Sequence, residues 1–170
     1  MGRKTFALMV YFFAGLVIAV AAYVQDIYPL EQAVGYLSRA QSAAYAEDMA
    51  SYAAQALPLL PREGNPVWIF PTKRTDFQSI RNDITSMIAR LEAVAATPRE
   101  SGAYAQTLND LRGKMAVVIN QIYEAMPYII FKPANVAAAS AYLLTPLLLR
   151  KIFNKHRETE HSKTMMKTSK

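Results

Sequence analysis

Apolar residues along this chain form two long runs on either side of a periodic, mixed middle. The first run, residues 6–24, has no charged residue and is close to the roughly 20 residues that cross a hydrocarbon core as a helix. The second run, residues 127–149, is interrupted near its start by Lys132 and Pro133. We expect the Lys132 stem to extend toward the outer surface of the membrane while the rest of the run spans, with pairing to an anionic headgroup or to a partner's carboxylate as the alternative. The pattern therefore predicts two transmembrane helices.

The middle begins with a segment that predicts one long helix, from Leu30 to Leu57. This segment follows Pro29, which a first helical turn tolerates, and it contains no proline before Pro58. Its apolar face starts with aliphatic residues and alanines and then drifts toward tyrosines. The expected face is Leu30, Val34, Leu37, Ala40, Ala44, Tyr45, Met49, Tyr52 and Ala56.

Two further helices follow, each with apolar residues at alternating spacings of three and four, as in coiled-coil seams. Thr75 stands three residues before Gln78, which predicts a capping box, and Ser101 is placed to cap the later helix. Such stripes require a partner, so we expect an antiparallel helical hairpin. The stripes are Phe77, Ile80, Ile84, Met87, Leu91 and Val94 in the first helix, and Tyr104, Leu108, Leu111, Met115, Val118 and Ile122 in the second.

Three helices in simple up-down order would leave the chain at the wrong end for its second span. An extended, proline-rich return strap over residues 58–74 would correct this, since prolines disfavour helix in themselves and in the preceding residue. Trp68, Ile69 and Phe70 would then pack in a groove of the bundle or reach the membrane interface. We expect the strap to be structural, with partner docking or ligand lining as the alternative.

Charge predicts the orientation of the chain in the membrane. The tail 150–170 has seven Lys or Arg against two acids, whereas residues 25–126 have nine basic and eleven acidic residues. Basic flanks lie in the cytoplasm, so residues 1–5 and 150–170 are expected there and residues 25–126 outside the cell membrane. The alternative is a signal peptide cleaved after Ala21, which would leave one span.

Residues able to support catalysis or metal binding are sparse. The two histidines, His156 and His161, lie in the tail at a spacing that does not share a helical face, and the chain has no cysteine. Glu47 and Asp48 are adjacent and point apart on a helix, which is typical of a solvated surface. We therefore expect no enzymatic activity and no cofactor, and the charge distribution does not favour nucleic acid.

Small residues in the apolar runs indicate helix contacts in lipid. Gly15 and Ala19 in the first run, and Ala134 with Ala138 and Ala137 with Ala141 in the second, are separated by four positions and allow backbones to approach. They predict contacts with other integral membrane subunits or between copies of the chain. The basic tail is expected to lie on an anionic inner leaflet and then become disordered.

Together these patterns predict an all-α membrane protein with two transmembrane helices flanking an extracytoplasmic three-helix bundle and its strap. The expected function is that of a non-catalytic accessory or scaffold subunit of a multi-subunit membrane complex. The alternative is an extracytoplasmic sensor or ligand-binding module acting through a partner, because the short tail holds no output domain. The further expected contact residues are Trp68, Ile69 and Phe70, together with Lys132 at the outer edge of the second span.

Overall fold

The computed structural model describes the backbone of residues 2–168, and their side chains except those of residues 3, 4, 149 and 152–168. Across these residues the chain is all-α, with no strand. It divides into two compact units, Met1–Lys132 and Pro133–Lys170.

The first unit begins with α1 (Arg3–Ala22), which continues through a π-helical turn (Tyr23–Ile27) into α2 (Tyr28–Ser42). The apolar stretch of this continuous helix is wholly unburied, and large apolar side chains of α1 are exposed on all its sides. In α2, by contrast, Leu30 and Leu37 are buried. Among the described residues, Thr5–Ser42 is the one helix long and apolar enough to cross a membrane, a test that a signal sequence also meets.

The rest of the unit is a bundle of four helices: α2, α3 (Ala46–Ala56), α4 (Phe77–Ala95) and α5 (Gly102–Ile130). Each helix packs against the next, and α5 packs against α2. Neighbours are antiparallel, as the α4–α5 side shows: Arg90 pairs with Asp110 near one end and Arg74 with Glu124 near the other. We call the end where α1 joins α2 the α1 end; it also holds the end of α3, the start of α4 and the end of α5.

The predicted single helix from Leu30 to Leu57 is wrong, because the chain breaks at residues 43–45. Ala43 and Tyr45 have extended backbones, and the predicted face residues Ala44 and Tyr45 are exposed. Contacts from distant α5 complete the turn: the Arg112 guanidinium donates to the Ala43 carbonyl at 2.8 Å. The Tyr104 hydroxyl accepts the Ala46 backbone N–H at 2.9 Å. The break makes an antiparallel pair, α2 and α3, whose buried alanines allow close packing.

The α4–α5 pairing is confirmed, and every predicted stripe residue on these helices is buried except Val94, which is half-buried. Ser101 caps α5 as predicted, accepting from the Tyr104 backbone N–H at 3.2 Å. The predicted capping box at Thr75 is wrong. Asp76 is the cap of α4 and accepts from the backbone N–H of Ser79 at 2.9 Å, because Thr75 is buried and its hydroxyl donates to Asn65 instead.

The predicted three-helix bundle with a return strap is also wrong. The α2–α3 turn supplies the fourth helix, so an even number of helices already returns the chain to the α1 end without any extended crossing. The segment between α3 and α4 instead connects neighbouring helix ends, with short 3₁₀ turns at Leu57–Leu59 and Lys73–Thr75. The Arg81 guanidinium donates to the carbonyls of Leu57 and Leu60, which fixes the end of α3 beside α4.

The second unit is one helix, α6 (Pro133–Thr168). The predicted span 127–149 is therefore not a single helix. Its first residues close α5, where Ile129 is 8% exposed and belongs to the bundle core, and helix geometry is lost at Phe131 and Lys132. The helical backbone of α6 continues to Thr168, which differs from the disorder expected late in the tail.

Candidate functional site at the α1 end of the bundle

A cleft of about 650 Å³ opens at the α1 end of the bundle. Its apolar lining comes from α2, α4, α5 and the segment after α3, and includes Pro29, Leu30, Leu59, Phe77 and Ile129. Its polar lining comes from Gln25, Asp26, Glu63, Asn65 and Lys132. The cleft therefore combines an apolar floor with a charged margin, directly after the last turn of α1.

Lys132 forms an ion pair inside this margin. Its ammonium Nζ lies 2.7 Å from Oδ1 of Asp26, in the π-helical turn that joins α1 to α2. The Asp26 side chain is 13% exposed and the Lys132 side chain 37%. Part of this pair is thus shielded from water. An ion pair is stronger in such a shielded position than on an open surface, because the effective dielectric constant is lower. Lys132, predicted to extend toward a membrane surface, contacts a carboxylate of its own chain and ties α5 to the base of α1.

Residues 65–72, which we call the aromatic loop, project from the connection between α3 and α4. The Asn65 side chain closes the loop: its Nδ2 donates to the Thr72 carbonyl at 2.6 Å, and its Oδ1 accepts from the Val67 backbone N–H at 3.0 Å. The buried Thr75 hydroxyl donates to the same Oδ1 at 2.9 Å. Because both ends of the loop are bonded to one side chain, the conformation of its base is fixed.

The apex carries Trp68, Ile69 and Phe70, which are 59%, 61% and 79% exposed. Of the two placements predicted for these residues, packing in a groove of the bundle is wrong. Their exposure shows that the apex of the loop does not pack against the bundle. The structure therefore brings three large apolar side chains together on the surface at the α1 end.

The small residues predicted to mediate helix contacts lie on two different helices. Gly15 and Ala19 are in α1, where Ala19 is exposed and Gly15 half-buried. Ala134, Ala138 and Ala141 are exposed on α6, in the second unit. Each set follows one helix face, as the spacing requires.

The residues weighed for metal chemistry do not form a centre within the described part of the chain, where no group of three or more His, Cys, Asp or Glu could hold an ion. The side chains of His156 and His161 lie outside the described residues. Glu47 pairs with Arg99 at 2.9 Å on the surface, far from the cleft, at the opposite end of the bundle. That contact joins α3 to the residues after α4.

Asp26 and Asn65 were missed as site residues from sequence, whereas Lys132 was among the predicted contact residues. Asp26 is the first acid after the apolar run 6–24, and Lys132 is a lone cation at the start of the second run. This symmetry could have suggested a pair. Asn65 precedes Pro66, a dipeptide that favours turns, so its role in closing a loop also had a local signal.

Comparison of the chain with known protein families, curated proteins and solved structures returned no match.

Proposed function

We propose that this protein is a non-catalytic accessory or scaffold subunit of a multi-subunit membrane complex. One observation carries the proposal. A single helix is apolar and unburied along α1 and then enters the bundle core as α2. An apolar surface of this extent favours a lipid or protein environment. The four-helix bundle would act as a rigid cap fixed to the membrane helix without an intervening linker.

The proposed topology has two spans, with the bundle outside the cell and both termini in the cytoplasm. The basic flanks at residues 3–4 and 150–170 support this orientation. With its break at Phe131 and Lys132, the second span would be residues 133–149 of α6, which is close to the lower limit of length. Mass spectrometry of the mature N-terminus separates two spans from a cleaved signal: residue 1 or 2 supports the span, and residue 22 supports cleavage.

The partners of α1 are proposed to be helices of other membrane subunits that contact its small-residue face. Gly15 and Ala19 would let the backbone of a second helix approach closely. Such close packing stabilises helix association in lipid through van der Waals contacts. A branched side chain at Gly15 would prevent that approach. The exposed alanines of α6 offer a second face of the same kind.

The test is gentle detergent extraction of the tagged protein from its native membrane, followed by sizing and identification of copurifying proteins. We expect a stoichiometric set of membrane proteins with the wild-type chain, and its loss with Gly15→Ile. Val17→Ile, an exposed α1 position two residues away, is the matched control and should retain the set. A lone monomer or dimer of the wild-type chain would contradict the subunit proposal.

The cleft supports a second candidate function, that of a sensor or ligand-binding module acting through a partner. A molecule between Leu30 and Ile129 would contact both α2 and α5. Since α2 continues into α1 without a break, movement of α2 would be passed to the membrane helix. Native mass spectrometry of the extracted protein would detect a retained small molecule. Leu59→Trp, which fills the cleft, should abolish retention, whereas Tyr123→Trp on the exposed face of α5 should not.

A further inference from the structure

We propose that the aromatic loop is a second membrane contact, in which Trp68, Ile69 and Phe70 insert into the interfacial layer of the bilayer that holds α1. Three neighbouring large apolar side chains more than half exposed are unfavourable in water. They also follow one another at the apex of a single loop, so all three can insert into the bilayer together.

The loop is ordered before it meets its partner. Asn65 bonds both sides of its base, and the carbonyl of Gly64 accepts the Phe77 backbone N–H at 3.0 Å. Gly64 has φ +102°, a conformation that side-chain-bearing residues rarely adopt, so the entry to the loop is shaped by glycine. Pro66 and Pro71 restrict the backbone further. A preformed loop loses little conformational entropy on insertion.

The position of the aromatic loop, beside the end of α1, favours lipid as its partner. Asn65 and Pro66 at its base line the same cleft as Gln25 and Asp26, which follow α1 directly. If α1 lies in the hydrocarbon core, the polar residues Gln25 and Asp26 lie where the hydrocarbon ends. The base of the aromatic loop is then at the membrane surface, and its apex lies on the same end of the bundle.

The residue types agree with an interfacial position. Trp is enriched where the hydrocarbon meets the headgroups, because its ring is apolar and its indole N–H needs a polar partner. Arg62 and Lys73 flank the loop and are exposed, so they are placed to meet headgroup phosphates. Lys73 begins the 3₁₀ turn directly after the loop.

This inference rests on α1 lying in the bilayer, which the proposed function also assumes, and does not require any partner protein. The chain has one Trp, so the native protein carries its own probe. The full chain is reconstituted alone into vesicles of phosphatidylcholine with a minor share of phosphatidylglycerol, and Trp68 emission is compared with and without lipids brominated near the headgroup. We expect Trp68 emission at shorter wavelength than that of a Trp side chain exposed to water, and strong quenching by the brominated lipid.

Two variants make the measurement specific. Tyr45→Trp in a Trp68→Phe background places the probe at the opposite end of the bundle, on an exposed site over which Arg99 stacks. Its emission should not be quenched by the lipid. Ile69→Ser with Phe70→Ser leaves Trp68 in place but removes its apolar neighbours. Because the transfer free energy of the loop scales with its apolar area, insertion should weaken, and lipid quenching of Trp68 should fall by more than about half of its wild-type extent.

Flotation of the vesicles separates the two proposals. Protein that does not float has no membrane anchor, which overturns both. Protein that floats but whose Trp68 is quenched by aqueous iodide and not by brominated lipid overturns the loop insertion alone. Shielding of Trp68 from iodide only in native membranes, where other proteins are present, would also overturn it and would assign the loop to a protein partner.

Discussion

Asp26 and Lys132 are 106 positions apart in the sequence, and Nζ of Lys132 lies 2.7 Å from Oδ1 of Asp26. Asp26 lies at the start of the bundle and Lys132 two residues after the last residue of α5. The pair therefore holds the first and last bundle helices together at the α1 end. It also neutralises a charge beside the apolar helix, where an unpaired carboxylate would be costly.

Breaking this pair should destabilise the bundle more than breaking a surface pair. For Lys132→Met we expect a loss of about 1 to 2 kcal/mol, between the typical values for exposed and for fully buried ion pairs. The exchange Asp26→Lys with Lys132→Asp should recover part of it. Thermal unfolding followed by circular dichroism measures both, with Arg90→Met, which breaks an exposed pair, as the control. Equal losses for Lys132→Met and Arg90→Met would contradict the role of the shielded pair.

A charge in the α4–α5 seam should unfold the bundle. Leu111 is fully buried, so Leu111→Asp removes a packed side chain and buries a carboxylate, at a cost on the order of 5 kcal/mol. That is comparable with the whole stability of a small domain. Val117→Asp, on the exposed side of the same helix, should leave the melting curve nearly unchanged. An unaltered helical signal and melting profile in Leu111→Asp would refute the α4–α5 packing.

The turn between α2 and α3 should depend in part on the Tyr104 hydroxyl. Tyr104→Phe leaves the buried Ala46 backbone N–H without its acceptor, and we expect a loss of about 1 to 3 kcal/mol. Tyr123→Phe, at an exposed position of α5, is the matched control and should have little effect. Hydrogen exchange at Ala46 should rise in Tyr104→Phe alone. Unchanged exchange there would mean that the turn is held by other contacts.

Acid should weaken the bundle through its surface carboxylates. The Arg90 guanidinium, which donates to Asp110, lowers the pKa of that carboxyl. The pKa of Glu47 is lowered by its own backbone N–H and by Arg99. Each group then binds protons less readily in the folded than in the unfolded chain, so its stabilisation is complete above about pH 5 and declines as the pH falls below about 4.

The same linkage predicts how a variant behaves. Asp110→Asn should lower the melting temperature at neutral pH and approach the wild-type value near pH 3, because the wild-type carboxylate is then being protonated. Asp83→Asn, an exposed α4 carboxyl outside the ion pairs of the described residues, should not show this convergence. If the difference in melting temperature between the wild-type chain and Asp110→Asn stays constant with pH, the linkage is excluded.

The number of spans can be read by labelling, since the chain has no native cysteine to interfere. Glu100→Cys lies in the connection between α4 and α5 and should react with a membrane-impermeant maleimide in intact cells. Ser162→Cys in the tail should react only after permeabilisation if α6 spans the membrane. Labelling of both in intact cells would leave α1 as the single span.

The sequence by itself determined the helical class, the exposed apolar helix α1 and both faces of the α4–α5 pair. These features follow from local pattern, because a stripe at spacings of three and four can be buried only by one helix face. Ser101 was identified as a cap for the same reason: its role depends on residues within one turn.

Only the tertiary structure decided the break at residues 43–45 and, with it, the number of helices. The stretch has no glycine or proline, and alanine favours helix by only a fraction of a kcal/mol over most residues, so the local preference is weak. Arg112 and Tyr104, about 60 to 70 positions away, supply partners for the backbone groups that the break exposes. Glu47 and Asp48 in the first turn of α3 were a faint local sign of a helix start. Long-range hydrogen bonds and core burial outweighed helix propensity here, and a one-dimensional pattern does not contain them.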